Sequence, residues 1–403
     1  QEIRLSGSND RVQWTAGLFY QETDEVWDFI SYLEGYRNSP AFAAWSYYYP
    51  GIAPTDGWWL SVQQSERTDM AVFGDIDFSI TDKIDLLLGG RWYDVDIDRS
   101  YQVYRPTTRL EQDLVAGGED DGFVPKVGLQ YNFNDDVMVY GLYSEGYRVG
   151  GINRGRGQPT LPVEYESDTL ENMEVGIKSV WWGGRIQLNA TVYKMEWKDV
   201  QLEVTDPSNS PPVLEPFQVV VANLGDAEVE GVDLDFKAAA TENLELGFNV
   251  TYIDKAEVEA PATFPDDRFP EGFATLGLQP TSQLPLFSDL SWSAYAEYSW
   301  NMDWFGGAGG YLRLQHSYTG ESLNQLDDTP GVSPRIEQPD YSLTDIVLGF
   351  TTDKWTARLY LNNIDDERGV TWDDSSDFDA FFGRSSVNIV RPRHGGFSVR
   401  YKF

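Results

Sequence analysis

Aromatic side chains are unusually dense between residues 22 and 65. The segment contains Tyr32, Tyr36, Trp45, Tyr47, Tyr48, Tyr49, Trp58 and Trp59. Flat aromatic faces can stack on sugar rings or on aromatic chelators, and few soluble loops expose so many. The alternative is that the rings pack the loop onto itself and onto its neighbours. With that alternative open, the candidate ligand-binding residues are Trp45, Tyr47, Tyr48, Tyr49, Trp58 and Trp59.

A second candidate for binding chemistry is a basic spot formed by Arg148, Arg154 and Arg156. Guanidinium groups bind carboxylates and phosphates through paired hydrogen bonds, so these residues suit an anionic group of a ligand. Arg148 can equally pair with an acidic neighbour on the protein itself. For Arg148 the sequence favours this second interpretation.

Metal and catalytic chemistry have little support in the sequence. One acidic segment offers carboxylate oxygens for Ca²⁺ through Asp365, Asp366, Glu367, Asp373, Asp374, Asp377 and Asp379. Its spacing matches no EF-hand, so a solvated acidic surface is the default and no metal site is predicted. The chain has no cysteine, and its two histidines, His316 and His394, form no recognisable pair with a serine. We predict neither an enzyme nor a cofactor.

In the segments that should position these residues, apolar and polar side chains alternate with a period of two. Leu244, Leu246, Phe248, Val250 and Tyr252 alternate with Glu245, Gly247, Asn249 and Thr251, and similar alternation recurs along the chain. It predicts strands of about 9 to 12 residues, longer than the usual 5 to 6 of soluble sheets. One face should be apolar, with Leu188, Phe248, Trp292 and Leu359, and the other polar, with Gln187, Asn249, Ser293 and Arg358.

Connector lengths alternate as well. Short turns are predicted near residues 8–10, 81–83, 134–136, 182–184, 241–243, 301–307 and 353–354. Long connectors are predicted at residues 22–65, 96–121, 147–168, 196–218, 254–288, 319–339 and 365–393. Short turns at one rim and long loops at the other are typical of a bacterial outer-membrane barrel. The fold class is therefore predicted as all-β, a transmembrane antiparallel β-barrel with about fifteen strands in this chain.

Aromatic residues fall into two groups along these strands. Trp181, Trp182, Trp304 and Trp355 lie at short turns, and Tyr20, Trp92, Tyr252 and Tyr318 lie at the far ends of apolar faces. Two belts of this kind are expected at the two interfaces of a membrane. Because bacterial barrels close with an even number of strands, we expect further strands from residues before Gln1 or from another chain.

Composition excludes other classes. The 403 residues carry a formal net charge of −35, so the surface should repel phosphate backbones and no nucleic acid is expected as a partner. Uninterrupted apolar runs are only a few residues long, far below the roughly 20 that a spanning helix needs.

Several stretches in order resemble the C-terminal barrel of TonB-dependent outer-membrane receptors. They are "QEIRLSGSNDRVQWTAGLFYQ", "VYGLYSEGYRVGGIN", "VANLGDAEVEGVDLDF", "ARLYLNNIDDE" and the ending "RPRHGGFSVRYKF". The likeness covers essentially the whole chain. Residues 1–403 are accordingly interpreted as one domain, the C-terminal part of a receptor barrel or one chain of a split receptor.

This resemblance implies a barrel of about 22 strands, filled by an N-terminal plug that is not recognisable in these residues. It implies uptake of a scarce substrate, such as a siderophore, a cobalamin-like molecule or an oligosaccharide, with energy passed through TonB. The expected partners are that small molecule, outer-membrane lipid and lipopolysaccharide, the plug and missing strands, and the TonB complex through the plug. The expected location is the outer membrane of a Gram-negative bacterium, crossed several times.

The C-terminal residues Gly395, Phe397, Val399, Tyr401 and Phe403 resemble the assembly signal that the outer-membrane insertion machinery reads. Two alternatives to the receptor remain open from the sequence. One is a passive porin with an open lumen, and the other is a soluble β-rich binding protein.

Overall fold

The structure is a computed structural model that describes residues 1–153, 162–205, 219–258, 263–265, 273–275, 282–302, 308–326, 335–374 and 386–402. Its strands are β1 (Glu2–Ser8), β2 (Val12–Tyr32), β3 (Gly57–Thr81), β4 (Ile84–Tyr104), β5 (Leu110–Asn134), β6 (Val137–Arg148), β7 (Gly151–Ile152), β8 (Glu164–Tyr165), β9 (Asp168–Trp181), β10 (Ile186–Lys198), β11 (Gln201–Thr205), β12 (Val219–Asn223), β13 (Ala227–Ala239), β14 (Leu244–Val258), β15 (Thr263–Pro265), β16 (Phe273–Thr275), β17 (Ser282–Gln283), β18 (Leu290–Met302), β19 (Ala308–Thr319), β20 (Ser322–Leu323), β21 (Glu337–Gln338), β22 (Tyr341–Thr351), β23 (Trp355–Asn362), β24 (Val370–Asp374), β25 (Ser386–Ile389) and β26 (His394–Tyr401). The helices are the 3-10 helix η1 (Tyr36–Asn38) and α1 (Pro40–Tyr48).

Within these residues, fifteen strands form one antiparallel sheet in chain order. The order is β1-β2-β3-β4-β5-β6-β9-β10-β13-β14-β18-β19-β22-β23-β26, with β17 attached to β14. Shorter strands form separate pairs, β7–β8, β11–β12, β15–β16, β20–β21 and β24–β25. The predicted number of strands is confirmed. No helix in the described part of the chain has the length and apolar character needed to cross a membrane.

The strand register separates two faces of this sheet. Leu188 lies opposite Phe236, and Phe236 lies opposite Phe248, so one row of apolar side chains crosses three strands. The next row carries polar groups, including Asn249 opposite Ser293. Since successive side chains point to opposite faces, the predicted division is confirmed. These two surfaces are called the apolar face and the polar face below.

Tyrosine rings lie flat along the polar face where a neighbouring strand has glycine. A Cβ atom on Gly247 would lie 2.1 Å from Cε1 of Tyr295, its direct partner on β18. The hydroxyl of Tyr295 donates to Glu245 at 2.8 Å, which holds the ring in that position. A side chain at residue 247 would force the ring away from the wall, so the glycine keeps this face smooth.

The bounds of two predicted connectors were wrong, because β2 to β5 are far longer than the expected 9 to 12 residues. β2 and β4 have 21 residues each, and β3 and β5 have 25. Nearly half of residues 22–65 and most of residues 96–121 are therefore strand. Residues 33–56 connect β2 to β3, and residues 105–109 connect β4 to β5. Charged residues such as Asp96 and Asp98 misled the prediction. Backbone pairing continues past them, because a strand outside the membrane needs no apolar face.

The other short turns and long connectors that fall on described residues agree with the prediction, with one adjustment. Residues 199–226 connect β10 to β13, and within them β11 pairs with β12. This hairpin belongs to a buried apolar cluster with the ends of β13 and β14. Its members are Val200, Val220, Ala222, Leu224, Ala227, Val229, Ala256, Val258, Leu284 and Leu326. Met195 and Trp197, on the polar face of β10, pack against it, so this connection folds over the polar face.

The aromatic belts are exposed on the apolar face. Near the short turns, the exposed fraction is 45% for Trp181, 74% for Trp182 and 51% for Trp355. Toward the other end of the strands, it is 40% for Tyr20, 43% for Trp92 and 47% for Tyr252. Trp304 lies outside the described residues. His316 shares the apolar face, since its ring lies 5.4 Å from that of Trp292. Two exposed belts separated by apolar rows agree with the predicted membrane interfaces.

Candidate ligand-binding site

A cavity of about 700 Å³ opens on the polar face of β2, β3 and β4, where the connection after β6 covers it. The described residues of its lining include four arginines, Arg67, Arg91, Arg99 and Arg148, and two carboxylates, Glu25 and Asp69. The formal charge of the lining is therefore +2, in a chain of net charge −35. An acidic protein that concentrates arginine in one cavity offers a site for an anion there.

Two of the four arginines are neutralised by the protein. Arg67 binds the carboxylate of Asp69, with Nε 2.9 Å from Oδ2. Arg148 forms an ion pair with Asp168, whose side chain is only 2% exposed. The pairing interpretation of Arg148 is thus confirmed.

Arg148 also joins three parts of the wall. Its Nη2 donates to the carbonyl of Gln201 at 2.7 Å, and its guanidinium lies 5.0 Å from the ring centre of Trp197. The backbone N–H of Gln201 donates to Oδ2 of Asp168 at 3.0 Å. Through these contacts β6, β9, β10 and β11 are held together at the edge of the cavity.

Arg91 and Arg99 differ, because neither has a carboxylate partner among the described residues. Arg99 donates from Nη1 to the carbonyl of Ile152 at 2.9 Å, and its buried Nε has no hydrogen-bond partner within the described structure. Arg91 lies 5.2 Å from the ring centre of Phe19 and 6.0 Å from that of Phe73. These contacts orient the two guanidinium groups, and no described carboxylate lies within ion-pair distance of either.

A second cavity of about 600 Å³ adjoins the first and is acidic. It shares Ile97, Gly150 and Tyr165 with the arginine cavity. Among the described residues that line it, the charged ones are the carboxylates Glu119, Asp120, Glu164 and Glu166. An anion is therefore favoured on one side of Tyr165 and repelled on the other.

Three of the six predicted aromatic residues, Trp45, Tyr49 and Trp59, form a packed cluster at the outer ends of β3 and β4. Trp45 stacks on Tyr49 with ring centres 5.4 Å apart. Arg105 lies 5.4 Å from the ring centre of Trp45 and 5.2 Å from that of Trp59. Arg109 lies 3.7 Å from the ring centre of Tyr49. This group is called the tip cluster.

Glu111 supplies a negative charge beside the two arginines of the tip cluster. Its carboxylate accepts from Nε of Arg105 at 3.0 Å and from Nη1 of Arg109 at 3.3 Å. Trp58 packs beside Trp59, with ring centres 5.8 Å apart, and its Nε1 donates to Oγ of Ser31 at 2.8 Å. The self-packing alternative thus describes Trp45, Tyr49, Trp58 and Trp59.

Tyr47 and Tyr48 are different, since they are 80% and 68% exposed. Their rings touch each other edge to face with centres 5.4 Å apart. They are the predicted aromatic residues whose faces remain available to a ligand.

The segment that carries these tyrosines is anchored by an ion pair. Nη2 of Arg37 lies 2.7 Å from Oδ2 of Asp56. The hydrogen bonds from Arg37 lower the pKa of Asp56 below its ordinary value. Burial raises the pKa of Tyr36, against the opposing effect of Arg105. This segment therefore has electrostatic as well as aromatic contacts to the ends of β2 and β3.

The structure does not bring the predicted aromatic loop and Arg148 into one site. Trp59 and Arg67 are eight residues apart on β3, which places the tip cluster about 26 Å from the arginine cavity. Arg154 and Arg156 lie outside the described residues. The sequence prediction missed Arg91 and Arg99. Their signal was present, because both lie on the polar parity of one strand.

The remaining predicted residues lie elsewhere. Gly395, Phe397, Val399 and Tyr401 belong to β26, where Phe397 is 79% exposed, and Phe403 lies outside the described residues. In the acidic segment, Asp365 accepts from Thr344 and Asp366 from Arg368, while Asp377 and Asp379 fall in the part that is not described. Across the described ranges, no three acidic or histidine side chains group to hold a metal ion.

Comparison with known proteins identifies the family. Residues 3–364 match the TonB dependent receptor-like, beta-barrel family, and the chain belongs to it. The polar face is accordingly the lumen side of a receptor barrel, and the apolar face is its outer surface.

Two relatives are named as receptors for ferric pyoverdine. The chain is 24% identical over 329 residues to the ferripyoverdine receptor of Pseudomonas aeruginosa. The matched region covers 81% of this chain and 34% of that receptor. The chain is 22% identical over 313 residues to the ferric-pyoverdine M114 receptor of a Pseudomonas species, covering 75% and 33%. The chain thus spans about a third of the length of these relatives.

A solved structure shares the fold over the whole chain. The ferric yersiniabactin uptake receptor of Yersinia pestis superposes with a TM-score of 0.74 at 18% identity, covering 100% of this chain and 53% of that one. At this identity the likeness concerns the fold.

Proposed function

We propose that the full-length protein is an outer-membrane receptor that takes up a ferric siderophore with energy transmitted by TonB. The observation that carries this proposal is the family match over residues 3–364, together with relatives named as siderophore receptors. The arginine cavity supports it, because a substrate entering the lumen would meet this cavity on the barrel wall.

The test is uptake of radioactive iron into iron-limited cells with and without the full-length gene. We expect uptake of ferric siderophores that requires the gene, a TonB complex and the proton gradient. Steady conductance of the purified full-length receptor in a planar bilayer should be small, because the plug fills the lumen. Large conductance with uptake that ignores the proton gradient would contradict the receptor and support a porin.

The proposal includes one domain over residues 1–403 that contacts lipid and lipopolysaccharide through its apolar face. Phe248→Arg should cost about 2 to 4 kcal/mol of barrel stability, whereas Asn249→Arg, on the polar face, should cost little. Unfolding of both variants in lipid bilayers measures the difference. Equal costs would contradict the assignment of the faces.

The proposal also includes the C-terminal residues as an assembly signal. The side chains of β26 on the apolar face are exposed, with Phe397 at 79% and Val399 at 59%. Deletion of Phe403 should lower the inserted fraction much more than it lowers synthesis. The measurement is the amount of folded, heat-modifiable receptor in isolated outer membranes. Unchanged insertion would show that β26 is an ordinary strand end.

A further inference from the structure

We propose that the transported chelate carries free carboxylates at separate positions and that Arg91 and Arg99 bind them in the arginine cavity. This inference rests on the proposed siderophore uptake and names the chemical class of the substrate. It depends on a contrast within one cavity, where Arg67 and Arg148 have carboxylate partners and Arg91 and Arg99 have none among the described residues.

The unmet hydrogen-bonding capacity lies on Arg99. Its Nε is buried without a partner in the described structure, while its Nη1 is held by the carbonyl of Ile152. A buried donor that stays unpaired carries a desolvation cost, and for a charged group that cost is larger. A ligand carboxylate would relieve it with charge-assisted hydrogen bonds.

Arg91 is oriented for the same task. Phe19 and Phe73 flank its guanidinium at 5.2 and 6.0 Å from their ring centres. Aromatic contacts hold the group near the rings and do not consume its N–H donors. The donors therefore stay available for an oxyanion in the cavity.

The spacing of the two arginines suits a chelate larger than a single ion. Arg91 and Arg99 are eight residues apart on β4, about 26 Å along the strand, and both line the same cavity. Their long side chains shorten the gap between the charged groups. A chelate with carboxylates at separate positions could engage both.

The acidic cavity makes the site directional. Glu119, Asp120 and Glu164 lie beyond Tyr165 and repel an anion that moves toward β5. The described carboxylates of this cavity therefore favour placing a ligand carboxylate on the side of β2, β3 and β4. A chelate without an anionic group gains nothing from this arrangement.

The test uses the full-length receptor in iron-limited cells and three labelled probes. These are ferric citrate, a ferric hydroxamate chelate with free carboxylates, and the methyl ester of that same hydroxamate. The variants are Arg91→Gln, Arg99→Gln and their combination. Arg358→Gln is the matched control, because Arg358 lies on the same polar face of β23, away from the cavity. Surface receptor is quantified for every variant.

We expect the wild-type receptor to take up at least one carboxylate probe and to discriminate against the ester by tenfold or more. The double variant should raise the half-saturating concentration of the accepted carboxylate probe at least tenfold. For the ester, the double variant and the wild type should have the same half-saturating concentration. The reason is that the interaction removed by the substitutions needs both the arginines and the carboxylate. Arg358→Gln should change neither value.

Two results would overturn the inference while leaving siderophore uptake intact. One is equal uptake of the ester and its parent chelate by the wild type. The other is unchanged affinity of the double variant for the carboxylate probe. A wider set of ferric siderophores tests the proposed function itself. If none of them is taken up in a gradient-dependent way, both the proposed function and this inference are contradicted.

Discussion

The tip cluster and the arginine cavity contain the same kinds of side chain on the same sheet, yet their charges are balanced differently. In the tip cluster, Arg105 and Arg109 share the carboxylate of Glu111 and lie over aromatic rings. In the cavity, Arg91 has aromatic neighbours and Arg99 a backbone carbonyl, but no described carboxylate pairs with either. Arginine with aromatic residues is therefore not in itself a binding signature. The presence or absence of the countercharge separates a structural cluster from a candidate site.

Burial strengthens this contrast. The side chain of Arg105 is 12% exposed and that of Glu111 is 22% exposed, so this pair is largely withdrawn from water. A partly buried pair is sensitive to loss of one partner, because the other charge is then left uncompensated. The comparison consequently predicts effects on stability for the paired arginines and effects on uptake for the unpaired ones.

The largest effect on stability is expected for Arg148→Ala. The substitution removes the countercharge of the buried Asp168 carboxylate, which keeps only its hydrogen bond from the backbone N–H of Gln201. This should lower the free energy of unfolding by about 3 kcal/mol. Hydrogen exchange around residues 168 and 201 measures the loss. The double variant Arg148→Ala with Asp168→Asn should recover part of it. Unchanged protection would show that the pair does not stabilise this junction.

Arg105→Ala should have a smaller effect at the tip. It removes the ion pair with Glu111 and the contacts with Trp45 and Trp59, which together should cost about 2 kcal/mol of local stability. Limited proteolysis between residues 33 and 56 reports this opening. The rate of uptake at saturating substrate should stay at the wild-type value, although the local stability of the tip falls. If proteolysis stays at the wild-type rate, the tip cluster is not the structural element described above.

Replacing Tyr47 and Tyr48 by alanine should change stability by no more than about 0.5 kcal/mol, because both side chains are largely exposed. We propose that they make an outer contact with the substrate. Their loss should then raise the half-saturating concentration about threefold, the scale of one aromatic contact of about 0.6 kcal/mol. Uptake kinetics measure this, with the packed residue Trp58 changed to alanine as the contrasting variant. Unaltered kinetics would contradict a binding role for Tyr47 and Tyr48.

The smallest effect concerns pH at the Arg37–Asp56 pair. Because the pKa of Asp56 is lowered in the folded protein, its stabilising contribution is present above the unfolded pKa. It is lost as the pH falls through the lowered value. Proteolysis of residues 33–56 in the wild type, compared with Asp56→Asn, isolates this contribution across acidic pH. Identical pH profiles would show that the pair contributes nothing.

The sequence predicted the sheet far better than the site. Alternation places Phe248 and Asn249 on opposite faces by strand geometry alone, so side assignment and strand number followed from local pattern. The ends of β2 to β5 did not, because pairing beyond the membrane leaves no apolar signature. Of the cavity arginines, only Arg148 was singled out, since Arg91 and Arg99 stand alone among acidic neighbours in the sequence.

Local pattern thus determined this protein's all-β class, the two faces of its sheet and its membership of a receptor family. Only the tertiary structure decided which arginines are neutralised. Arg148 meets Gln201 across 53 residues of sequence, and Arg99 meets Ile152 across 53. The two residues at each contact lie on different strands, which come together only when the connections fold over the polar face. A charge is compensated by its neighbours in space, and strand periodicity carries no information about neighbours that distant in the chain.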